Sequence, residues 1–175
     1  MTRMSLSVSL LVLLAAACGA GSNLPPDSEC TRGTPESDIV YGAWQGPGML
    51  ADGGLPESSD VVVSTTFLAL RTEPEAGQLF RDLMADISLD LASREGLIGY
   101  SISTSTRCNT ARTLSVWADE AHMFTFAGSP AHGKAVRMIG SLSRGTSAVT
   151  HWHDSTANVS FQTAFGKIGA VDGVF

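Results

Sequence analysis

Val61-Val62-Val63-Ser64-Thr65-Thr66-Phe67-Leu68-Ala69-Leu70 is dense in β-branched and aromatic side chains and runs directly into Arg71-Thr72-Glu73-Pro74-Glu75. The first stretch reads as a largely buried strand. The second has the T-x-x-E form of a capping box, with Pro74 in the first turn, where its missing N–H does no harm. A helix therefore follows the strand. Leu79, Phe80, Leu83, Met84, Ile87 and Leu91 recur at three- and four-residue intervals and give it an apolar stripe, and Gly96 supplies its stop. Two strands come next, Leu97 to Thr104 and Thr110 to Trp117, forming a hairpin around the polar Cys108 loop. A second helical region spans Asp119 to Phe126, breaks at Gly128, restarts at Ser129-Pro130 and continues to the neighbourhood of Gly145. Thr146 to Asp154 forms the last strand. The order strand, helix, strand, strand, helix, strand predicts an α+β domain of the ferredoxin-like split βαβ type over residues 60–155.

The 175-residue chain is long enough for one such domain and too short for two. Arg3 and the apolar run Leu6 to Ala17 have the length of a signal peptide, not of a membrane span, which assigns residues 1–17 to an export leader. Leu14-Ala15-Ala16-Ala17-Cys18-Gly19 resembles the lipobox of bacterial lipoproteins. That likeness implies lipidation of Cys18 and a lipid anchor in the cell envelope, facing the periplasm or the exterior; the alternative is an ordinary cleaved leader with an incidental cysteine. Residues 18–59, rich in Gly, Pro, Ser and acidic side chains, read as a tether leading into a partly docked arm, with Trp44 as a docking residue. Residues 156–175 read as a tail.

The formal net charge is −6, and loss of Arg3 with the leader makes the chain more acidic still. Phosphate backbones repel such a surface, which excludes nucleic acid as a partner. Cys30 and Cys108 remain after Cys18, so the exported chain admits one disulfide between them, the alternative being two free thiols. No zinc-type spacing occurs, and no metal is expected.

Thr150-His151-Trp152-His153-Asp154 places two imidazoles on one face of the last strand and Trp152 on the other. Burying the indole stabilises by roughly 2–3 kcal/mol, whereas burying unpartnered imidazoles costs free energy. Trp152 is therefore expected to face the helices, and His151 and His153 the opposite side of the sheet.

Thr113-Leu114-Ser115-Val116-Trp117-Ala118-Asp119-Glu120, then Met123, Phe124, Phe126 and Ser129-Pro130-Ala131-His132, resembles the dimeric α/β-barrel superfamily, in particular its antibiotic biosynthesis monooxygenase-like and spheroidene monooxygenase-like members. The resemblance implies a homodimer with paired sheets and a cavity between sheet and helices for a small hydrophobic compound. It also implies oxygenation without a bound cofactor, or haem binding in one branch. On that basis His132, early in a helix whose dipole disfavours the charged imidazole, is the candidate catalytic base. Phe67, Tyr100, Trp117 and Phe126 are the candidate pocket-lining residues. Ser64, Thr65 and Thr66 stand where haem-degrading members carry an asparagine, and Phe124 and Phe126 where they carry a tryptophan. Those substitutions argue against haem degradation. The competing reading is a non-catalytic envelope lipoprotein that uses the fold for dimerisation or ligand binding.

Overall fold

The computed structural model describes residues 29–173, so the leader and Cys18 lie outside the described residues. Its elements are β1 (Val40–Tyr41), β2 (Val61–Ala69), α1 (Pro74–Leu91), β3 (Leu97–Ser105), β4 (Thr110–Trp117), α2 (Glu120–Ala127), α3 (Pro130–Arg137), α4 (Ile139–Leu142), β5 (Ala148–Asp154) and α5 (Phe161–Gly169). The strands form one antiparallel sheet in the order β1-β3-β4-β2-β5. From β2 to β5 this is the ferredoxin-like arrangement, with the second helical region in three pieces.

Strand alternation sorts the residues of β2 and β4 onto two faces. On one face Val62, Tyr100 and Trp117 pack with Ile87 and Leu91 of α1 and Met123 of α2. On the other, Val61, Val63, Leu114 and Val116 meet Ala164 of α5, with Trp44 and Leu55 of the N-terminal arm closing over them. Both faces of the central strands are covered, which is why VVVSTTFLAL reads as a continuous apolar run instead of an alternating one.

The arm docks through backbone before it docks through side chains. The N–H groups of Gly42, Gln45 and Gly48 donate to the carbonyls of Ile102, Tyr100 and Ile98, so residues 42–48 extend the sheet along β3. A Cβ on Gly42 would lie 2.5 Å from the Ile102 oxygen, so only glycine permits that approach. Cys30 and Cys108 are bonded, with Cα atoms 5.6 Å apart, and the bond closes a loop across 78 residues.

A buried ion pair fixes the arm beyond the disulfide. Arg112 of β4 and Glu36 of the arm expose 3% and 1% of their side chains, with Arg112 Nε 3.0 Å from Glu36 Oε2. The guanidinium also donates to the carbonyls of Thr31, Arg32 and Thr34 and lies between the rings of Phe67 and Phe165, 4.4 and 4.7 Å from their centres. Burial pulls its pKa below the ordinary value, and the Glu36 carboxylate opposes that pull. Thr110 Oγ1 donates to the same carboxylate at 2.5 Å.

Three sequence expectations change. The capping box does not form: Glu73, not Thr72, is the N-cap and makes no side-chain cap bond, and Pro74 occupies the first helical position. Residues 156–175 are not a tail throughout, because α5 buries Ala164, Phe165 and Ile168 against the sheet; its short amphipathic repeat falls below the length at which periodicity announces a helix. Trp152 packs on the side of α5 and the arm, not against α1–α4, and His151 and His153 lie on the side of α2. An indole finds as much apolar cover under α5 as under the other helices, and the reading of the histidines reversed once α5 went unrecognised.

Removing one member of the buried pair leaves the other charge unpaired, which costs about 3–5 kcal/mol. Glu36→Ala is therefore expected to lower unfolding free energy by that amount in urea titration with the disulfide intact. A loss below about 1 kcal/mol would remove the pair from its anchoring role.

Candidate functional site

His132 is the third residue of α3, whose N-cap Ser129 accepts a hydrogen bond from the His132 N–H at 3.3 Å. Its ring Nδ1 lies 3.0 Å from the Ala127 carbonyl. A carbonyl only accepts, so this contact places the proton on Nδ1 and leaves the Nε2 lone pair available as a base. The ring rests on Phe126, 4.9 Å between centres, and Phe126 stacks on Trp117 at 5.2 Å.

That stack decides the fate of the expected pocket. Tyr100, Trp117 and Phe126 belong to the packed cluster beneath α1 and α2, with Trp117 exposing 1% of its surface. Phe67 points to the other face of the sheet, against Ala148 and Ile168, because it is an odd number of residues from Val62 along β2. The four aromatics therefore do not line one pocket: three fill the core and the fourth supports the arm-side cluster.

The open ground lies at the edge strand β5. The helices cover β3, β4 and the start of β2, while Ser64 and Thr66 are half-buried, and Val149, opposite Thr66, is 51% exposed. Phe124 of α2 is 54% exposed and meets the His151 ring edge-on at 5.5 Å. Glu120, the first residue of α2, places one carboxylate oxygen 3.5 Å from Nε2 of both His151 and His153. The helix dipole favours a carboxylate at that position. His153 Nδ1 lies 3.0 Å from Asp60 Oδ1, and this bond raises the His153 pKa above its ordinary 6.5 against the opposing effect of desolvation; the charges of Asp60 and Glu120 add to the rise. No group of three or more metal-ligating side chains with metal-binding geometry exists among the described residues.

The flank thus joins an apolar patch to two imidazoles facing a carboxylate, an arrangement able to accept a proton from a bound hydroxyl. Sequence reading paired the two histidines but did not find Glu120, since nothing local reports that the first turn of α2 reaches across to β5. His122 is engaged at the start of its own helix: its Nδ1 lies 2.9 Å from both carboxylate oxygens of Asp119.

Solved structures similar to this chain include a protein from Shewanella oneidensis, at 16% identity over 57% of this chain and 96% of its own, TM-score 0.49. Another is a Mycobacterium tuberculosis protein at 22% identity, covering 54% of this chain and 93% of its own, TM-score 0.44. A Listeria monocytogenes ferredoxin-fold protein, described as related to antibiotic biosynthesis monooxygenases, is 19% identical over 53% of this chain and 55% of its own, TM-score 0.45. No curated protein sequence matches. The antibiotic biosynthesis monooxygenase family model matches residues 65–138, from the middle of β2 to the end of α3. Over residues 65–138 the chain is similar to the antibiotic biosynthesis monooxygenase family.

Proposed function

We propose that this protein is exported, held at the cell envelope by a lipid on Cys18, and uses its monooxygenase-like domain to bind and oxidise a small hydrophobic compound at the β5 flank. The observation that carries the reading is the convergence of exposed Phe124 and Val149 with His151, His153 and Glu120 on one side of the sheet. An aromatic compound would lie on Phe124 and present a hydroxyl to His151. Removal of that proton makes the bound compound electron-rich enough to pass electrons to dioxygen directly, without a cofactor. His132, through its Nε2 lone pair, is the second candidate base. Export is supported by the Cys30–Cys108 bond, which persists in an oxidising compartment. A reading as a binding protein without catalysis rests on the same flank and differs only in whether dioxygen is consumed.

Oxygen uptake with 1,4-naphthohydroquinone, measured above its spontaneous oxidation, tests the catalytic reading. His151→Ala is expected to lower the enzymatic rate by about 100-fold or more, the scale of a lost general base, with His132→Ala nearly unchanged. The reverse order would transfer the role to His132. Binding seen by NMR shifts at Phe124 without oxygen uptake would leave the binding protein; neither signal would end both readings.

Two further outcomes follow from the same assignment. Cys18→Ala is expected to abolish partitioning of the protein into detergent; unchanged partitioning would dismiss the lipid anchor. The raised pKa of His153 means that its bond to Asp60 contributes fully below about 6.5 and is lost as pH rises through the higher folded value. An NMR titration of the His153 ring should accordingly give a midpoint above 6.5, and Asp60→Asn should bring it down. A midpoint insensitive to that substitution would break the pairing.

A further inference from the structure

Arg71, Ile139, Gly140, Ser143, Arg144 and Gly145 line a shallow cleft of about 260 Å³ at the end of the sheet where β2 stops and β5 starts. The carbonyls of Leu70, Asn109 and Cys108 hold the Arg144 guanidinium there, and the Gly140 carbonyl accepts from Arg71 Nε at 3.1 Å. Arg137 closes α3 just before α4 begins, and Val136 and Met138 on either side of it are exposed. Three guanidiniums and two exposed apolar side chains thus border the shortest of the helices.

Charge is unevenly placed along the sheet. At the opposite end Asp60, Glu95, Asp119 and Glu120 are all exposed. At the α4 end Glu29 pairs with Arg107, Asp38 accepts from Ser105 Oγ, Thr106 Oγ1 and the Arg107 N–H, and Glu73 lies 3.9 Å from Arg71. Glu75, on the first turn of α1, and Asp172, beyond α5, lie at this end as well, where Arg32 also donates to the Val171 and Gly173 carbonyls. This end is therefore close to neutral, its excess of cations sits at α4, and repulsion between the acidic chain and an anionic surface is weakest there. The described chain also begins here, since Glu29 meets Arg107 in the turn between β3 and β4. The stretch from Cys18 to Glu29 spans at most about 40 Å when fully extended.

We propose that the α4 end is a membrane-docking surface, on which Arg71, Arg137 and Arg144 meet the phosphates of anionic lipid headgroups while Val136 and Met138 enter the headgroup layer. Such docking depends on the lipid at Cys18 proposed above. An anchor at that position makes docking intramolecular, so contacts too weak to recruit a free protein suffice to orient a tethered one. Guanidinium forks match phosphate oxygens, and each arginine at an anionic surface favours the docked state about fivefold. Apolar side chains beside cations are the combination that settles at a headgroup boundary. Docked this way, the domain turns Glu120 and the His153 imidazole away from the bilayer.

The mature lipidated chain, reconstituted in vesicles of phosphatidylcholine alone or of phosphatidylcholine with phosphatidylglycerol, tests this. Cofractionation with both kinds of vesicle reads the anchor, and hydrogen exchange across residues 136–145 reads the docking. Exchange there is expected to slow with phosphatidylglycerol at about 0.1 M salt and to recover at about 1 M, where charges are screened within roughly 3 Å. Arg71→Gln with Arg137→Gln is expected to lower the docked population about tenfold or more, with β2 and β4 still protected. Should that variant fail to fold, Val136→Ser with Met138→Ser, both outside the cleft, takes its place and is expected to act in the same direction. Cofractionation with both vesicles and exchange indifferent to phosphatidylglycerol overturns the docking surface and leaves the anchor standing. A chain that cofractionates with neither overturns the anchor and the docking with it. Slowing that survives both variants, or that inorganic phosphate alone produces on phosphatidylcholine vesicles, also overturns the membrane assignment.

Discussion

A guanidinium buried under an N-terminal arm is the constraint from which much of this structure follows. A charge so far from water is tolerated only when its donors are satisfied and its counter-charge is near. Arg112 meets both conditions, but its partners are spread over Thr31, Arg32, Thr34 and Glu36, and the rings on its two sides belong to β2 and α5. No piece of the domain can leave without stranding the charge. The arm is consequently part of the fold although its composition alone would not order it, and α5 is held where nine residues of isolated helix would not persist.

The two faces of the sheet divide the work. One is closed by the arm and α5, and its side chains have little to offer a ligand. The other is closed over β3 and β4, where Trp117 and Phe126 stack, and open over β5, where the helical region has broken into α2, α3 and α4. That break positions Glu120 and Phe124 beside the last strand instead of burying them. A continuous helix from Glu120 onward would present its residues at a regular pitch, without the capping turn at Ser129 that aims α3 separately.

Much of this was legible in the residues. The apolar run of β2, the stripe of α1, the turn at Cys108 and the Ser129-Pro130 restart each carry a local signal strong enough to fix an element, and their order fixes the ferredoxin-like arrangement. Arg112 was readable in part, for it alternates with Leu114 and Val116 on β4 and so stands at an inward position; its carboxylate partner, 76 residues earlier in a Pro- and Gly-rich stretch, had no local signature. The facing of Trp152 was misjudged for a related reason. Alternation says which residues share a face but not which layer covers that face, and the layer here includes a helix that nine residues announce only weakly. Glu120 escaped because its role arises from one helix turn reaching a strand some thirty residues away, a relation that spacing does not encode.

Gly33 of the arm and Gly169 at the end of α5 meet backbone to backbone, a Cβ on Gly169 falling 2.8 Å from the Gly33 Cα, and that contact ties the assembly of the molecule to its order of synthesis. The arm is made first, yet the carbonyls of Thr31, Arg32 and Thr34 lack the Arg112 donors until β4 exists, and the Arg32 side chain finds its acceptors only in the last described residues. The central sheet can therefore form around α1 while the arm waits in contact with solvent, and the final closure must bring together segments from opposite ends of the chain. Contacts of such separation are slow to form, since loop-closure entropy is lost before they contribute. In a chain that emerges N-terminus first, the interval before closure is the time when the VVVSTTFLAL strand has one bare side, and the speed of that last step sets how long the nascent protein is exposed to aggregation.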